Sequence, residues 1–180
     1  DSDSSIGEFY DGGYTEAVLG YAYRPVKHDR LNALAKYTYF YNVPATDQFT
    51  IPDTSTQFIQ KSNIASLDIT YDLTANWSVG GKYAYRLGAV SLDRGDPEFF
   101  DNNAHLYILR VDWRFMKDWE GSMETRMLDM PDLENRRSGA LFTLYRYLGD
   151  HFKVGVGYNF TDFSDDLTDL SHDHRGLFFN

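Results

Sequence analysis

The fold follows from Trp77-Ser78-Val79-Gly80-Gly81-Lys82-Tyr83-Ala84-Tyr85-Arg86, a stretch in which two kinds of residue alternate. Its odd positions carry Trp, Val, Gly and Tyr, whereas its even positions carry Ser, Gly, Lys, Ala and Arg. A repeat of two residues predicts a β-strand. The apolar parity has large aromatic rings towards both ends, and the other parity has full charges in mid-strand. This pattern is typical of a strand whose outside meets lipid and whose inside meets water.

The same alternation recurs along the chain and predicts an all-β protein with nine strands. Proline has no amide proton to give to a sheet, and all five prolines fall between the predicted strands. The strands are expected at residues 15–24, 31–42, 58–72, 77–87, 104–115, 119–128, 138–147, 152–162 and 174–180.

The predicted connections alternate between short and long. The short ones cover residues 25–30, 73–76, 116–118 and 148–151, and the long ones cover residues 43–57, 88–103, 129–137 and 163–173. Short periplasmic turns and long extracellular loops in strict order are typical of an antiparallel up-and-down transmembrane β-barrel. Such barrels are even-stranded, so nine strands predict part of a larger barrel. We expect residues 1–14 to be an extracellular loop or the end of a preceding element, and residues 15–180 to be transmembrane strands truncated at both ends.

Composition narrows the class of protein. The 180 residues fit one domain, and aromatic residues make up 17% of them, which favours a barrel with two aromatic girdles over an ordinary soluble domain. The formal net charge of -10 argues against binding to nucleic acid, which needs a basic surface. No run of 18 apolar residues exists, so the sequence predicts no transmembrane helix. The absence of cysteine excludes disulfides and thiolate metal sites.

Three stretches carry a resemblance to a known group of proteins. They are Gly20-Tyr21-Ala22-Tyr23-Arg24-Pro25, residues 71–86 from Tyr71-Asp72-Leu73 to Tyr85-Arg86, and Val154-Gly155-Val156-Gly157-Tyr158-Asn159-Phe160-Thr161-Asp162-Phe163. Together they resemble the C-terminal β-barrel region of large Gram-negative outer-membrane and surface proteins. The resemblance implies an outer-membrane barrel and brings no catalytic motif with it. Such barrels end on an aromatic residue, whereas Asn180 is the last residue here.

Charged residues collect on the parity predicted to face inward. One interpretation is a network of cross-strand ion pairs that fills the lumen, and the alternative is a water-filled pore with a basic lining. Burying these charges in the dry core of a soluble sandwich would cost several kcal/mol each unless they were paired. The predicted lumen-lining residues are Arg24, Lys36, Asp68, Lys82, Arg86, Arg110, Asp112, Arg114, Glu124, Arg126, Arg146 and Lys153.

Aromatic residues on the other parity are predicted to lie at the two membrane interfaces. Two tryptophans each follow another aromatic residue by six positions across a short turn, which indicates a periplasmic girdle. The predicted periplasmic members are Tyr23, Tyr71, Trp77, Trp113, Trp119, Tyr145 and Phe152, and the predicted outer members are Tyr37, Tyr39, Tyr85 and Tyr158.

The sequence therefore predicts a non-enzymatic barrel in the bacterial outer membrane, acting as an anchor or a passive porin-like channel for a larger surface protein. The expected partners are membrane lipids and lipopolysaccharide, further domains or strands of the same chain, and small solutes if it is a pore. No cofactor and no nucleic acid are expected. One alternative is a surface hydrolase with His105, Asp101 or His174 as candidates, and another is a soluble β-sandwich that binds carbohydrate through exposed tyrosines.

Two possible metal sites are weaker hypotheses. A run of aspartates between residues 162 and 173 could offer oxygen ligands to Ca²⁺. It lacks the spacing and the glycine of an EF-hand loop, so solvated surface charge is the favoured interpretation. The two histidines at 172 and 174 would share a strand face without a third ligand nearby, which argues against zinc. The acidic run comprises Asp162, Asp165, Asp166, Asp169 and Asp173.

Overall fold

A computed structural model describes residues 15–26, 29–41, 59–91, 98–149, 152–165, 167 and 175–179. This part of the chain is all-β and contains ten strands. They are β1 (Thr15–Tyr23), β2 (Leu31–Tyr41), β3 (Ile59–Asp72), β4 (Trp77–Ser91), β5 (Phe100–Asp101), β6 (Ala104–Met116), β7 (Trp119–Met130), β8 (Asn135–Leu148), β9 (Phe152–Asn159) and β10 (Gly176–Phe179).

The strands form a single antiparallel up-and-down sheet. Their order is β1-β2-β3-β4-β6-β7-β8-β9-β10, so neighbours in sequence are neighbours in space, and the two-residue β5 pairs with β4. Within the described residues, β1 and β10 each pair with one neighbour and form the two edges. No helix in the described ranges is long and apolar enough to cross a bilayer.

The structure corrects two of the predicted connections. The expected long loop at residues 88–103 is shorter, because β4 continues to Ser91 and β5 folds back against it. The expected long loop at residues 129–137 is a tight turn, since pairing continues to Met130 and resumes at Asn135. A 3-10 turn that begins at Pro131 and a left-handed Glu134 with φ 48° reverse the chain within four residues. The expected alternation of short and long connections is therefore incomplete.

The register defines the two faces and the two ends of the sheet. We call the face that carries Lys82, Ala84 and Arg86 the inner face, and the opposite face the outer face. The turn end is where β1–β2, β3–β4, β6–β7 and β8–β9 connect, and the loop end is opposite. Chain segments 1–14 and 43–57, for which loops were expected, lie outside the described residues.

The hydrophobic core lies on the inner face at the loop end. There, a segment that follows β9, residues 161–165 with Leu167, folds back over the sheet; we call it the strap. Its Phe163 and Leu167 are each 1% exposed. They pack with inner-face side chains from five strands, which are Phe40, Ile64, Ala84, Ala104, Leu106, Leu128 and Met130. One segment thus draws β2, β3, β4, β6 and β7 around a common centre.

Candidate functional site

The inner face is the candidate site because it gathers the charged residues. The register places eleven of the predicted lumen-lining residues on this face or at its turn end. They are Arg24, Lys36, Asp68, Lys82, Arg86, Arg110, Asp112, Arg114, Glu124, Arg126 and Lys153. Their arrangement changes along the sheet, from a polar cluster at the turn end to the strap at the loop end.

At the turn end, a single carboxylate is shared by three donors from other parts of the sheet. Lys153 Nζ lies 2.8 Å from Glu120 Oε1, and the Tyr147 hydroxyl donates to Glu120 Oε2 at 2.6 Å. Arg114 reaches the same Oε2 at 3.4 Å. The Lys153 ammonium also lies 4.0 Å from the centre of the Tyr145 ring. This network ties β6, β7, β8 and β9 together, and a polar pocket of about 480 Å³ lies beside it.

Further along the inner face, acids pair with bases two residues away on the same strand. Asp112 accepts a hydrogen bond from the Ser122 hydroxyl at 2.5 Å, and its other carboxylate oxygen lies 3.3 Å from Arg110 Nε. Arg126 forms an ion pair with Glu124, two residues earlier on the same strand. Both oppositely charged groups in these pairs are at least partly removed from water. The cations here are therefore paired, but within a strand, whereas the sequence predicted pairs across strands.

Between mid-sheet and the loop end, two cations bind the backbone of the strap. Lys82 Nζ donates to the carbonyl oxygen of Asp165 at 2.6 Å, although Asp68 is its direct partner in the register. Arg86 donates through one terminal nitrogen to the carbonyl oxygen of Leu167 at 3.2 Å and through Nε to the Ser62 hydroxyl at 3.0 Å. The Arg86 side chain is 2% exposed. These contacts hold the strap against the inner face.

The predicted faces of two neighbouring residues on β8 are wrong, since each residue lies on the face predicted for the other. Arg146 was expected to line the lumen, but it lies opposite Trp119 in the register and its guanidinium is 5.3 Å from the centre of that ring, on the outer face. Tyr145 was expected at the membrane interface, but it is on the inner face. Its ring occupies the space over Gly155, where an added Cβ would lie 2.5 Å from the ring. The Tyr145 ring fits here because residue 155 is a glycine and has no side chain.

The outer face is largely apolar, and its exposed side chains form bands. Trp77 and Trp113 stack at the turn end with ring centres 5.2 Å apart. Tyr85 stacks on His105 nearer the loop end at 4.6 Å. Aliphatic side chains lie between these two aromatic bands. They are Leu67, Ile69, Val79, Leu109, Val111, Leu144, Val154 and Val156.

Formal charge on the outer face is confined to strand ends within the described strands. Lys61 is the third residue of β3, and Asp129 is the last but one of β7. Arg136 is the second residue of β8, and Arg146 is the third from its end. The middle of every described strand is free of full charges on this face. The outer face therefore has a charge-free belt, bounded by aromatic rings.

The other predicted aromatic residues take the outer parity of their strands. They are Tyr23, Tyr71, Trp77, Trp113, Trp119 and Phe152 towards the turn end, and Tyr37, Tyr39, Tyr85 and Tyr158 further along. Phe160 lies next to Tyr158, with ring centres 4.4 Å apart.

The candidate enzyme and metal residues do not converge in the described part of the chain. His105 faces outward, where Nδ1 lies 3.0 Å from the Tyr83 hydroxyl, and Asp101 is an exposed residue of β5. Among the described residues, no three His, Asp or Glu side chains lie close enough to share a metal ion. The candidates His172, His174, Asp166, Asp169 and Asp173 lie outside the described residues.

The strap is the part of the candidate site that the sequence did not predict. Residues 163–173 were predicted to be an exposed acidic loop, yet Phe163 and Leu167 are buried core residues. The available signal was their spacing, since two large apolar side chains interrupt a run of acids four positions apart.

Comparison with known proteins adds no relative to this picture: no protein-family model matches the chain, and neither a curated protein nor a solved structure matches it significantly.

Proposed function

We propose that this chain is a membrane-spanning β-domain of the bacterial outer membrane that anchors a larger surface protein. The observation that carries the proposal is the charge-free belt on the outer face, with Leu109 60% exposed at its centre. A continuous exposed apolar face is costly in water but favourable in lipid. The opposite face carries the ions, which is the reverse of a soluble sheet and matches a barrel in a bilayer.

The spacing of the aromatic bands supports this proposal. Trp77 and Tyr85 are eight residues apart on β4, as are Phe152 and Phe160 at β9. Eight residues of strand span about 27 Å before any tilt. The apolar band of outer-membrane barrels is about 25 Å tall and has aromatic girdles on both sides. Because open sheet edges do not occur in hydrocarbon, the proposal requires the edges of β1 and β10 to be joined, directly or through further strands.

The position of the tryptophans gives a direct test of membrane insertion. All three, Trp77, Trp113 and Trp119, lie at the turn end. In phospholipid vesicles, lipids brominated near the headgroup should quench their fluorescence more strongly than lipids brominated near the bilayer centre. Fluorescence emission with each lipid measures this difference.

A relocated tryptophan provides the matched control. In a variant with Phe at all three native positions, Leu109→Trp should reverse the order, because position 109 lies in the middle of the outer belt. If neither brominated lipid quenched the fluorescence of the native tryptophans or of the tryptophan at position 109, the proposal would be contradicted.

Within the barrel proposal, the strap favours an anchor over an open channel. Phe163 and Leu167 fill the loop end of the inner face, and the ion pairs around Asp112 and Glu120 lie nearer the turn end, beside the polar pocket. We therefore expect the inserted protein to leave the conductance of a planar bilayer at its background level. Stable single-channel steps in chloride or acetate salts, absent when the protein is omitted, would favour the passive pore instead.

A further inference from the structure

The contact between Arg86 and the strap is chemically unusual, because among the described residues this buried cation donates only to neutral oxygen atoms. Arg86 is 2% exposed, and its polar partners in that part of the chain are the Ser62 hydroxyl and the Leu167 carbonyl. Its guanidinium also lies 5.6 Å from the centre of the Phe40 ring. A buried cation is normally paired with a carboxylate, since desolvation of an unpaired charge is expensive.

The surroundings of Arg86 are shaped to accommodate it. Gly88 lies two residues along the same face, and a Cβ there would be 2.9 Å from Arg86 Nε. Lys82, four residues before Arg86 on the same face, binds the carbonyl of Asp165, only two residues before Leu167. Both cations therefore meet one short stretch of backbone.

Carbonyl oxygens are weak substitutes for an anion at such a place. A guanidinium bound to an oxyanion gains the attraction between opposite charges, which a neutral carbonyl oxygen does not supply. An oxyanion offers several acceptors that a guanidinium can bind in a bidentate manner. An anion at this site would hence compete with the strap for Lys82 and Arg86.

We propose that the inner face between Lys82 in mid-sheet and Arg86 nearer the loop end is a binding site for a phosphate-like oxyanion, held by these two cations, and that the strap occupies this site until the anion displaces it. The ligand is defined by its chemistry, a compact multivalent oxyanion, whether free or part of a larger molecule. All the contacts lie on the inner face. The inference consequently goes beyond the anchor function and does not depend on membrane insertion.

The experiment uses a cysteine reporter on the strap. The chain has no cysteine, so Leu167→Cys introduces a single thiol at a position that is 1% exposed. Cysteine behaves as a small apolar residue when buried. Leu133→Cys is the matched reference, since Leu133 is 59% exposed in the turn between β7 and β8. The rate of maleimide labelling is measured in detergent solution, in sodium phosphate and in sodium chloride of equal ionic strength.

In chloride, we expect the thiol at position 167 to react at least about tenfold more slowly than the thiol at position 133, because labelling requires the strap to open. Phosphate should accelerate labelling at position 167 by about tenfold and leave labelling at position 133 unchanged. Adding Arg86→Gln to Leu167→Cys should make labelling fast in both salts. Unchanged labelling at position 167 in phosphate would overturn the proposal, as would fast labelling there in chloride with Arg86 intact.

A second measurement covers the case in which Arg86→Gln does not fold. Equilibrium dialysis of the unaltered chain against radiolabelled phosphate should show one bound phosphate, and Lys82→Gln should weaken that binding by about tenfold. Absence of bound phosphate in the unaltered chain would overturn the site. Neither measurement reports on lipid insertion, so failure here and failure of the anchor proposal are separate outcomes.

Discussion

Replacing Phe163 with alanine is expected to lower the free energy of unfolding by about 3–5 kcal/mol, the usual cost of removing a buried aromatic side chain. Phe163 is 1% exposed and packs among inner-face residues such as Phe40, Leu106 and Met130. Without its ring, the core at the loop end loses both apolar burial and close packing, because Phe163 fills the space between the strap and the paired strands. Urea titration in detergent, followed by tryptophan fluorescence and far-ultraviolet circular dichroism, measures the change.

Phe160→Ala is the matched control for this prediction. Phe160 is only three residues earlier but faces outward, where it is 45% exposed and touches Tyr158 and Phe142. Each of these two ring contacts is worth about 0.5–1.5 kcal/mol beyond burial, and because Phe160 is nearly half exposed, Phe160→Ala should cost less than Phe163→Ala. If the two alanine variants lost the same stability, Phe163 would not belong to the core and the strap would be a surface loop.

The strands could be predicted from the sequence because alternation is a local property. Each strand needs one apolar and one polar face, and the two parities of residues 77–86 show this without any knowledge of the neighbours. Four of the neighbouring pairs could also be predicted, since the short connections at 25–30, 73–76, 116–118 and 148–151 join antiparallel neighbours. All of this concerns residues that are close together in the chain.

The errors on β8 arose where local pattern did not determine the face. Residues 145–147 are Tyr-Arg-Tyr. Because charges were expected inside and aromatic rings outside, Arg146 was assigned to the inner face and Tyr145 to the outer face, which is the reverse of the structure. Only the register shows that Tyr145 lies over Gly155 and that Arg146 lies beside Trp119. Near a strand end, an arginine on the outside can reach water or headgroups, and an inner tyrosine can fill the space over a glycine. Chemistry alone therefore does not choose the face at such positions.

The strap could not be predicted because it has no period. An irregular segment docks where its few apolar side chains find a complementary surface, and that surface is assembled from five strands that are far apart in the chain. The sequence shows Phe163 and Leu167 among acids but not the groove that receives them. Likewise, the tight turn after β7 depends on the backbone conformation of Glu134, a residue type that is not characteristic of left-handed positions.

An arginine placed in the middle of the outer belt should separate a membrane domain from a soluble sheet. Leu109→Arg changes a side chain that is 60% exposed and lies midway along β6. If the outer face meets hydrocarbon, this substitution should lower the free energy of unfolding by about 2–4 kcal/mol, the cost of an arginine at the bilayer midplane. If the same face met water, an exposed substitution of this kind would change stability by only about 0.5 kcal/mol. Reversible urea unfolding in phospholipid vesicles distinguishes the two.

Met116→Arg supplies the depth control, since Met116 ends the same strand at the turn end and is 61% exposed. The two sites are equally open, so they differ chiefly in distance from the ends of the sheet. Met116 lies opposite Trp119, whose ring already has the Arg146 guanidinium beside it. An arginine there should cost about 0–1 kcal/mol in vesicles, as expected near an interface. Equal costs at 109 and 116 would show that depth does not matter, and the charge-free belt would then not be a lipid-facing surface.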